Sequence, residues 1–494
     1  MKAELITKNH LGSRDLSRNR GFSLIEILIA VAILTLSVSA VILLVFANQN
    51  LKVDVLTNNE GVSIAQGLIE ELRAKSRQDF SGVVTVAPSA DGIYTKGAVV
   101  TDIDLFTKLI TTTVTWTESA VRPITVKFAT IVTDPQSAFG GDTCSPVLTG
   151  DWTAPQDYTD GYGYYDFISP NGTSGLDAFN LKVYLTSDIT GKDNFYIIDV
   201  SDPTPPPSIN PKLPKLGSLE AEYALTDVRV AGKYAYVTTM SQLYELFIID
   251  ISDPTNLEYA DIVKKFDVKL PGFTGYGNTV FYSKKKLYVG MTKSTGPEFY
   301  IVDVSDPLNP DVEDSFEIGT SVNQIIVKDG LAYLAGALDN QVWILDVSDP
   351  ADIHQTNPAQ QIFVDPSGTQ DWSGQSIALS GTDLYLGRIY DVGANGPELY
   401  VLDADDLSQP PIDSLTQTKQ DGVSRMVIRE NLMFMSNTKH NDGFQIWDIN
   451  TLMRYDTSPL NVEESSTSGM DCEGNFVYLG ERSGKALQII GPGP

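Results

Sequence analysis

The first chemistry the sequence offers is a carboxylate in an apolar setting. From Phe22 to Phe46 the chain is as apolar as a membrane helix, yet Glu26 lies inside that run, with Arg18, Arg20 and Gly21 directly before it. A carboxylate in such a segment costs on the order of 2.5–3.5 kcal/mol, so a plain anchor gives no reason to keep it. A second set of candidates is the aspartates at 199, 250, 303, 346, 403 and 448, each closing an apolar run such as FYIVD. A third is the pair Cys144 and Cys472, far apart in sequence.

Composition narrows the partners. The 494 residues are enough for two or three domains with their own cores. They hold 63 Asp and Glu against 35 Lys and Arg, a net charge of −28. Nucleic acid is not expected as a partner, because phosphate binding needs a basic stripe. The acidity reads first as a solvated surface that keeps the protein soluble. A sharper alternative is a need for divalent cations or a basic partner.

The elements that position Glu26 are helical. Phe22–Phe46 meets the ~20-residue requirement for a membrane-spanning helix. The leader before it carries Lys2, Lys8, Arg14, Arg18 and Arg20 against Glu4 and Asp15. That bias predicts an N-terminus in the cytoplasm and everything after residue 50 outside. A secretory signal fits poorly, since its apolar region is shorter and its small-residue cleavage site follows that region. Helical periodicity then continues, with Val62, Ala65, Leu68, Ile69 and Leu72 forming one stripe. One helix over 22–80 would be ~88 Å long, with Gly61 and Gly67 as points where it could bend.

The basic leader, Gly21, Phe22, the run FSLIE and the long helix together resemble the N-terminal region of type IV pilins and pseudopilins. The resemblance implies cleavage after Gly21 by a prepilin peptidase, N-methylation of Phe22, and assembly of subunits through their helices. It also implies that Glu26 pairs with the N-terminal amine of a neighbouring subunit. Residues 81–140 are then expected to hold a small antiparallel sheet, and LITTTVTWTESAVRPITVKFATIVTD (109–134) reads as a hairpin within it. The implied course begins at the inner membrane, single-pass with its N-terminus inside, and ends in a cell-surface pilus.

Beyond residue 140 the sequence repeats. NFYIIDVSDP, LFIIDISDP, FYIVDVSDP, VWILDVSDP, LYVLDADDL and FQIWDINTL recur, and LQIIGPGP closes the chain with the Asp lost. A hairpin such as DVRVAGKYAYVTT or QIIVKDGLAYLAG precedes each, and a further β-like run often follows. Four strands in each of seven repeats predict a β-propeller, and the repeat resembles the LVIVD-type propeller family. The expected fold is therefore an α+β pilin-like stem, a long N-terminal α-helix plus a small antiparallel sheet, followed by an all-β seven-bladed β-propeller over 141–494. A solenoid of the same repeat is the alternative.

The repeated aspartates have a structural reading that outweighs a catalytic one: Asp bonds a backbone N–H two residues on, and Pro sets the turn. Ligand chemistry is expected instead on the variable loops of the opposite face, which offer Phe273, Tyr276, Trp372, Arg388, Tyr390 and His440 as aromatics and donors. SDITGKDN (187–194) has oxygens that could hold calcium, without EF-hand spacing; no cofactor or other metal is expected. No Ser–His–Asp order and no carboxylate pair points to an enzyme.

The seventh repeat runs out after its third strand, and a ring cannot leave that edge bare. Residues 147–168 are β-prone and unassigned, so they are expected to strap the ring shut. Cys144 precedes the strap and Cys472 falls in the first strand of the seventh repeat, which predicts a Cys144–Cys472 disulfide outside the cytoplasm; two buried free thiols are the alternative. The functional expectation is a minor pilin, tip-located, whose head is an adhesin or recognition module for a surface or glycan ligand. A cargo-sorting pseudopilin of a type II secretion-like system and a surface-displayed, glycan-acting propeller enzyme are the alternatives.

Overall fold

A computed structural model describes residues 24–78, 83–104, 107–118, 122–133, 143–144, 147–161, 172–203, 213–269, 272–337, 340–356, 362–364, 372–390, 396–416, 422–437, 443–458, 460, 467–482 and 486–493. The chain separates into two compact units, Met1–Asp102 with Lys108–Val132, and Ile103–Thr107 with Thr133–Pro494.

The first unit is built on helix α1, Leu24–Gln78. No proline interrupts it. Over 31–43 its apolar side chains, Ile33, Leu34, Leu36 and Leu43 among them, are exposed. The hydroxyls of Thr35 and Ser37 there donate to the carbonyls of Val31 and Ile33 one turn back, which leaves no unsatisfied polar atom on an apolar face. Among the described residues no helix is long and apolar enough to cross a membrane. Phe22 and the side chains of 44–46, which belong to the expected span, lie outside the described residues.

Toward its C-terminal end α1 turns a stripe inward, and Ala65, Leu68, Ile69 and Leu72 are buried. They meet a four-stranded sheet of β1 (Val86–Asp91), β2 (Tyr94–Asp104), β3 (Thr107–Glu118) and β4 (Arg122–Thr133), in that order. Leu68 and Leu72 pack with Val83, Ala98, Ile110 and Val132, and Ala65 with Tyr94, Val114 and Trp116. Gly61 is where the Trp116 ring sits against the helix: a Cβ there would fall 2.6 Å from a ring carbon. Gly67 faces open space. Only the first of these two glycines is required by packing.

The second unit holds seven sheets among the described residues. Sheets I to VI begin with Gly175–Ala178, Leu225–Ala231, Gly277–Ser283, Val322–Lys328, Trp372–Ser380 and Val423–Arg429, and each runs outward through antiparallel neighbours in sequence order. Sheet VII comprises Thr467–Gly474, Phe476–Glu481 and Leu487–Gly493. First strands of successive sheets touch, and that of sheet VII touches that of sheet I, so the series closes on itself. This all-β arrangement is consistent with a propeller. Buried apolar clusters fill the space between adjacent sheets, as where Phe195, Ile197, Val228, Val237 and Phe247 join sheets I and II.

The third strands carry the repeated aspartates. In all six, Oδ1 accepts the backbone N–H two residues on, as from Ser201 to Asp199 (2.9 Å), Ser305 to Asp303 (2.6 Å) and Asn450 to Asp448 (2.9 Å). These side chains hold turns.

Two segments from before sheet I complete sheet VII. β5 (Thr143–Cys144) lies parallel to the end of Thr467–Gly474, and β6 (Asp151–Asp157) runs antiparallel to Leu487–Gly493. β6 falls within the expected strap 147–168, of which 162–168 lie outside the described residues. Cys144 and Cys472 form a disulfide with their Cα atoms 5.1 Å apart.

Two predictions follow from packing and linkage. Gly61→Ala should lower the urea midpoint of the full chain in detergent, because overpacking of roughly 1–3 kcal/mol outweighs the helix gain; Gly67→Ala should raise stability by about 1 kcal/mol. Alkylation of the unfolded, unreduced protein should label no cysteine and label two after reduction, and Cys472→Ser should cost ~2–5 kcal/mol in the same urea titration.

Candidate functional site

The six first strands of sheets II to VII share one irregularity. Pairing with the second strand skips a residue at Thr226, Asn278, Asn323, Gln375, Ser424 and Ser468. A bulge of this kind leaves one residue out of the ladder and re-aims its side chain. Here the freed side chains reach the next sheet. The Thr226 hydroxyl donates to the Gly277 carbonyl (2.8 Å), Asn278 Nδ2 to Val322 (2.7 Å) and Asn323 Nδ2 to Gly374 (2.7 Å). Ser468 donates to the Thr173 carbonyl, and Ser174, just before sheet I, donates to Leu225 (2.7 Å). The belt is open at two neighbouring places. Between sheets V and VI the bulge residue Gln375 makes no such bond among the described residues, and Ser376 reaches Val423 at 3.4 Å instead. Between VI and VII the buried hydroxyl of Ser424 has no partner among the described residues.

These bulges encircle a cavity of about 310 Å3 at one mouth of the ring. Its polar lining includes Asn278, Asn323, Gln375, Ser424, Arg425 and Arg482 beside four further hydroxyl residues, and Met240 and Ile389 form its apolar part. Arg425 Nη1 donates to the Ser424 carbonyl (2.8 Å), and no carboxylate lies within ion-pair distance of it among the described residues. Burial holds its guanidinium down at about 10, with Asp227 opposing that fall and Arg229 and Arg482 adding to it; it stays cationic at neutral pH. Arg482 reaches Asp188 at 3.7 Å.

Deeper in the ring, acids are used as structural acceptors. Asp471 Oδ2 takes the N–H of Ala178 (2.8 Å), Asp177 Oδ2 that of Val230 (2.7 Å), Asp227 Oδ2 that of Val280 (3.1 Å), and Gln324 Oε1 that of Ile377 (2.9 Å). Each bond ties one sheet to the next. Burial pushes the Asp177 carboxyl well above the usual range; Arg229, 3.7 Å away, opposes this and Asp471 adds to it. Both oxygens of Glu473 face the Leu181 N–H (2.9 and 2.8 Å), and burial raises its pKa to about 7. Loops are pinned by buried glutamates: Glu245 accepts from Val268 (3.0 Å), and Glu298 from Ile318 (3.0 Å) and Gly319 (2.8 Å).

The expected site residues do not form one group. Phe273 is half-buried, its ring over Gly296, where a Cβ would lie 2.4 Å from it. Tyr276 is exposed, and its hydroxyl accepts from Gln242 Nε2 (3.1 Å). Trp372 and Tyr390 are paired in register in sheet V, but their side chains lie outside the described residues. His440 also lies outside them, as do Gly21, Phe22 and the Glu26 side chain. Arg388 is fully buried, donating to the Pro397 carbonyl (3.0 Å) above the Tyr400 ring, and is not a surface donor. In the loop considered for calcium, Asp188 faces Arg482 and Asp193 accepts from Ser218. Among the described residues, the one group of acids, histidines and cysteines close enough to share a cation is Cys144, Asp471 and Cys472, whose sulfurs are bonded to each other.

Sequence reasoning about variable loops missed the bulge residues. Their signal is a small or amide polar residue at one fixed place in each hairpin, as in LTDVRV, GNTVFY, VNQIIV and VSRMVI.

Comparisons with known proteins divide the chain the same way. Residues 16–42 match the prokaryotic N-terminal methylation motif. Residues 225–264 and 319–354, which fall in sheets II and IV, match the LVIVD repeat. The protein thus carries a pilin-type N-terminal signal and a head with LVIVD repeats. Comparison with curated proteins gives no match. Among solved structures, the chain is similar to one in "Crystal Structure of Mitotic Checkpoint Complex", with 12% identity, 69% of this chain and 94% of that chain covered, and a TM-score of 0.45, too low to bear on function.

The raised Glu473 carboxyl gives a pH prediction. Native Glu473 keeps its proton at pH values where the unfolded chain has lost it, so its stabilising contribution is full below the ordinary glutamate range and fades as pH rises through about 7. Between pH 5 and 8 the Tm of the protein should fall by roughly 2–4 °C more than that of Glu473→Gln, measured by calorimetry.

Proposed function

We propose that this protein is a minor type IV pilin, placed at the filament tip, whose seven-bladed β-propeller head binds a surface ligand as an adhesin. The observation that carries this reading is the joining of an N-terminal methylation motif to a repeat-rich head in one chain. The motif implies processing by a prepilin peptidase and assembly with other pilins. The exposed apolar side chains of α1 support a single-pass anchor in the inner membrane first and helix packing in a filament afterwards. Glu26 then meets its cation, the methylated amine of a neighbouring Phe22.

Bulk supports a rare or terminal position, since residues 145–494 outweigh the stem and would crowd a packed shaft. Binding rather than turnover is supported by the acids of the ring, because Asp177, Asp227 and Asp471 are engaged by backbone N–H groups. Deleting 145–494 while keeping the stem should leave filaments visible by electron microscopy but abolish attachment. Loss of filaments would point to an assembly role, and immunogold label along the whole shaft would rule out the tip.

A further inference from the structure

The mouth of the ring has two groups that the fold itself leaves unsatisfied. Ser424 is 1% exposed and its hydroxyl has no partner. The next residue, Arg425, has a guanidinium whose one hydrogen bond among the described residues goes to the carbonyl beside it. A buried hydroxyl without a partner is costly; Arg425 beside it is half-buried, and both residues line the same cavity. The acid whose charge bears on Arg425, Asp227, is already engaged: its Oδ1 accepts from Val228 N–H and its Oδ2 from Val280 N–H and the Thr279 hydroxyl.

The rest of the lining defines what could complete these groups. A guanidinium matches a carboxylate in a planar, two-point fashion. Around it stand the side-chain amides of Gln375, which can donate and accept, and of Asn278 and Asn323, whose N–H groups are engaged by the next sheet and whose oxygens can accept from hydroxyls. The volume of about 310 Å3 is that of a small ligand rather than a polymer segment. In a chain with a net charge of −28, a mouth whose charged lining residues are two arginines selects for an anion.

We propose that this mouth binds the carboxylate of an acidic sugar, with Arg425 taking the carboxylate, Ser424 completing its shell and the amides holding the ring hydroxyls. The inference rests on the reading of the head as a recognition module and names the class of its ligand.

The test is calorimetric titration of the full-length protein in detergent with D-glucuronate, methyl glucoside and inorganic phosphate as separate probes. Glucuronate should bind and methyl glucoside should bind at least roughly tenfold more weakly, since it lacks the charge that Arg425 meets. Arg425→Gln should weaken glucuronate by about tenfold or more. Ser424→Ala removes a hydroxyl that bonds nothing in the fold, so it should melt like the parent while weakening glucuronate by about threefold. No binding of glucuronate, equal binding of the uncharged sugar, tighter binding of phosphate, or unchanged affinity in a folded Ser424→Ala protein would overturn the proposal. Attachment by filamented cells that depends on 145–494 but is not competed by glucuronate would overturn it too, while leaving the adhesin reading standing.

Discussion

A closed series of sheets has no spare partner for its last strand. Leu487–Gly493 would expose a full row of backbone groups, and the strand that covers it, β6, comes from far upstream. Everything else in the second unit depends on that pairing. It fixes which sheet stands beside sheet I, and so lets Ser468, Asp471 and Glu473 bond the backbone of Thr173, Ala178 and Leu181. The disulfide ties the same seam a second time, on the other edge of the sheet. Hydrophobic burial between sheets supplies the bulk of the cohesion, but it is not directional. The directional bonds at the bulges and at the acids set the register of one sheet against the next.

Much of this was legible in the sequence, for physical reasons. The period of the apolar runs gave strands, and the Asp-Ser-Asp-Pro turns gave their ends, because an Asx turn is a local interaction between near neighbours. The missing fourth strand of the last repeat pointed to residues 147–168, and β6 lies there. The inward stripe of α1 followed from its spacing. Other features depend on who sits opposite, which a single chain does not display. Gly61 read as a weak point, yet the ring of Trp116 occupies the space a side chain would need. Arg388 read as a loop donor because it follows a strand and precedes variable residues; in the fold it is buried beneath Tyr400. The bulges were missed because one skipped residue leaves alternation on either side intact.

The ring treats its charges in two ways. Inside, Asp177, Asp227, Asp471 and Glu473 accept hydrogen bonds from the neighbouring sheet, and burial raises the carboxyls of Asp177 and Glu473 against the pull of those bonds. At the mouth, Arg425 is desolvated without a carboxylate to answer it. The first arrangement is complete within the fold, and the second is not. That difference separates acids that hold the structure together from a cation that the described residues leave without a carboxylate.

The pairing of Asp151 with Gly493 also dictates an order of events during biogenesis. Strand β6 emerges early and must wait, unpaired, while the sheets that follow are synthesised behind it. Cys144 waits likewise for Cys472. A partly synthesised second unit is therefore an open chain with a bare strand edge and an unpaired thiol. Formation of this one bond becomes a chemical record that the last sheet has been made and the series has closed.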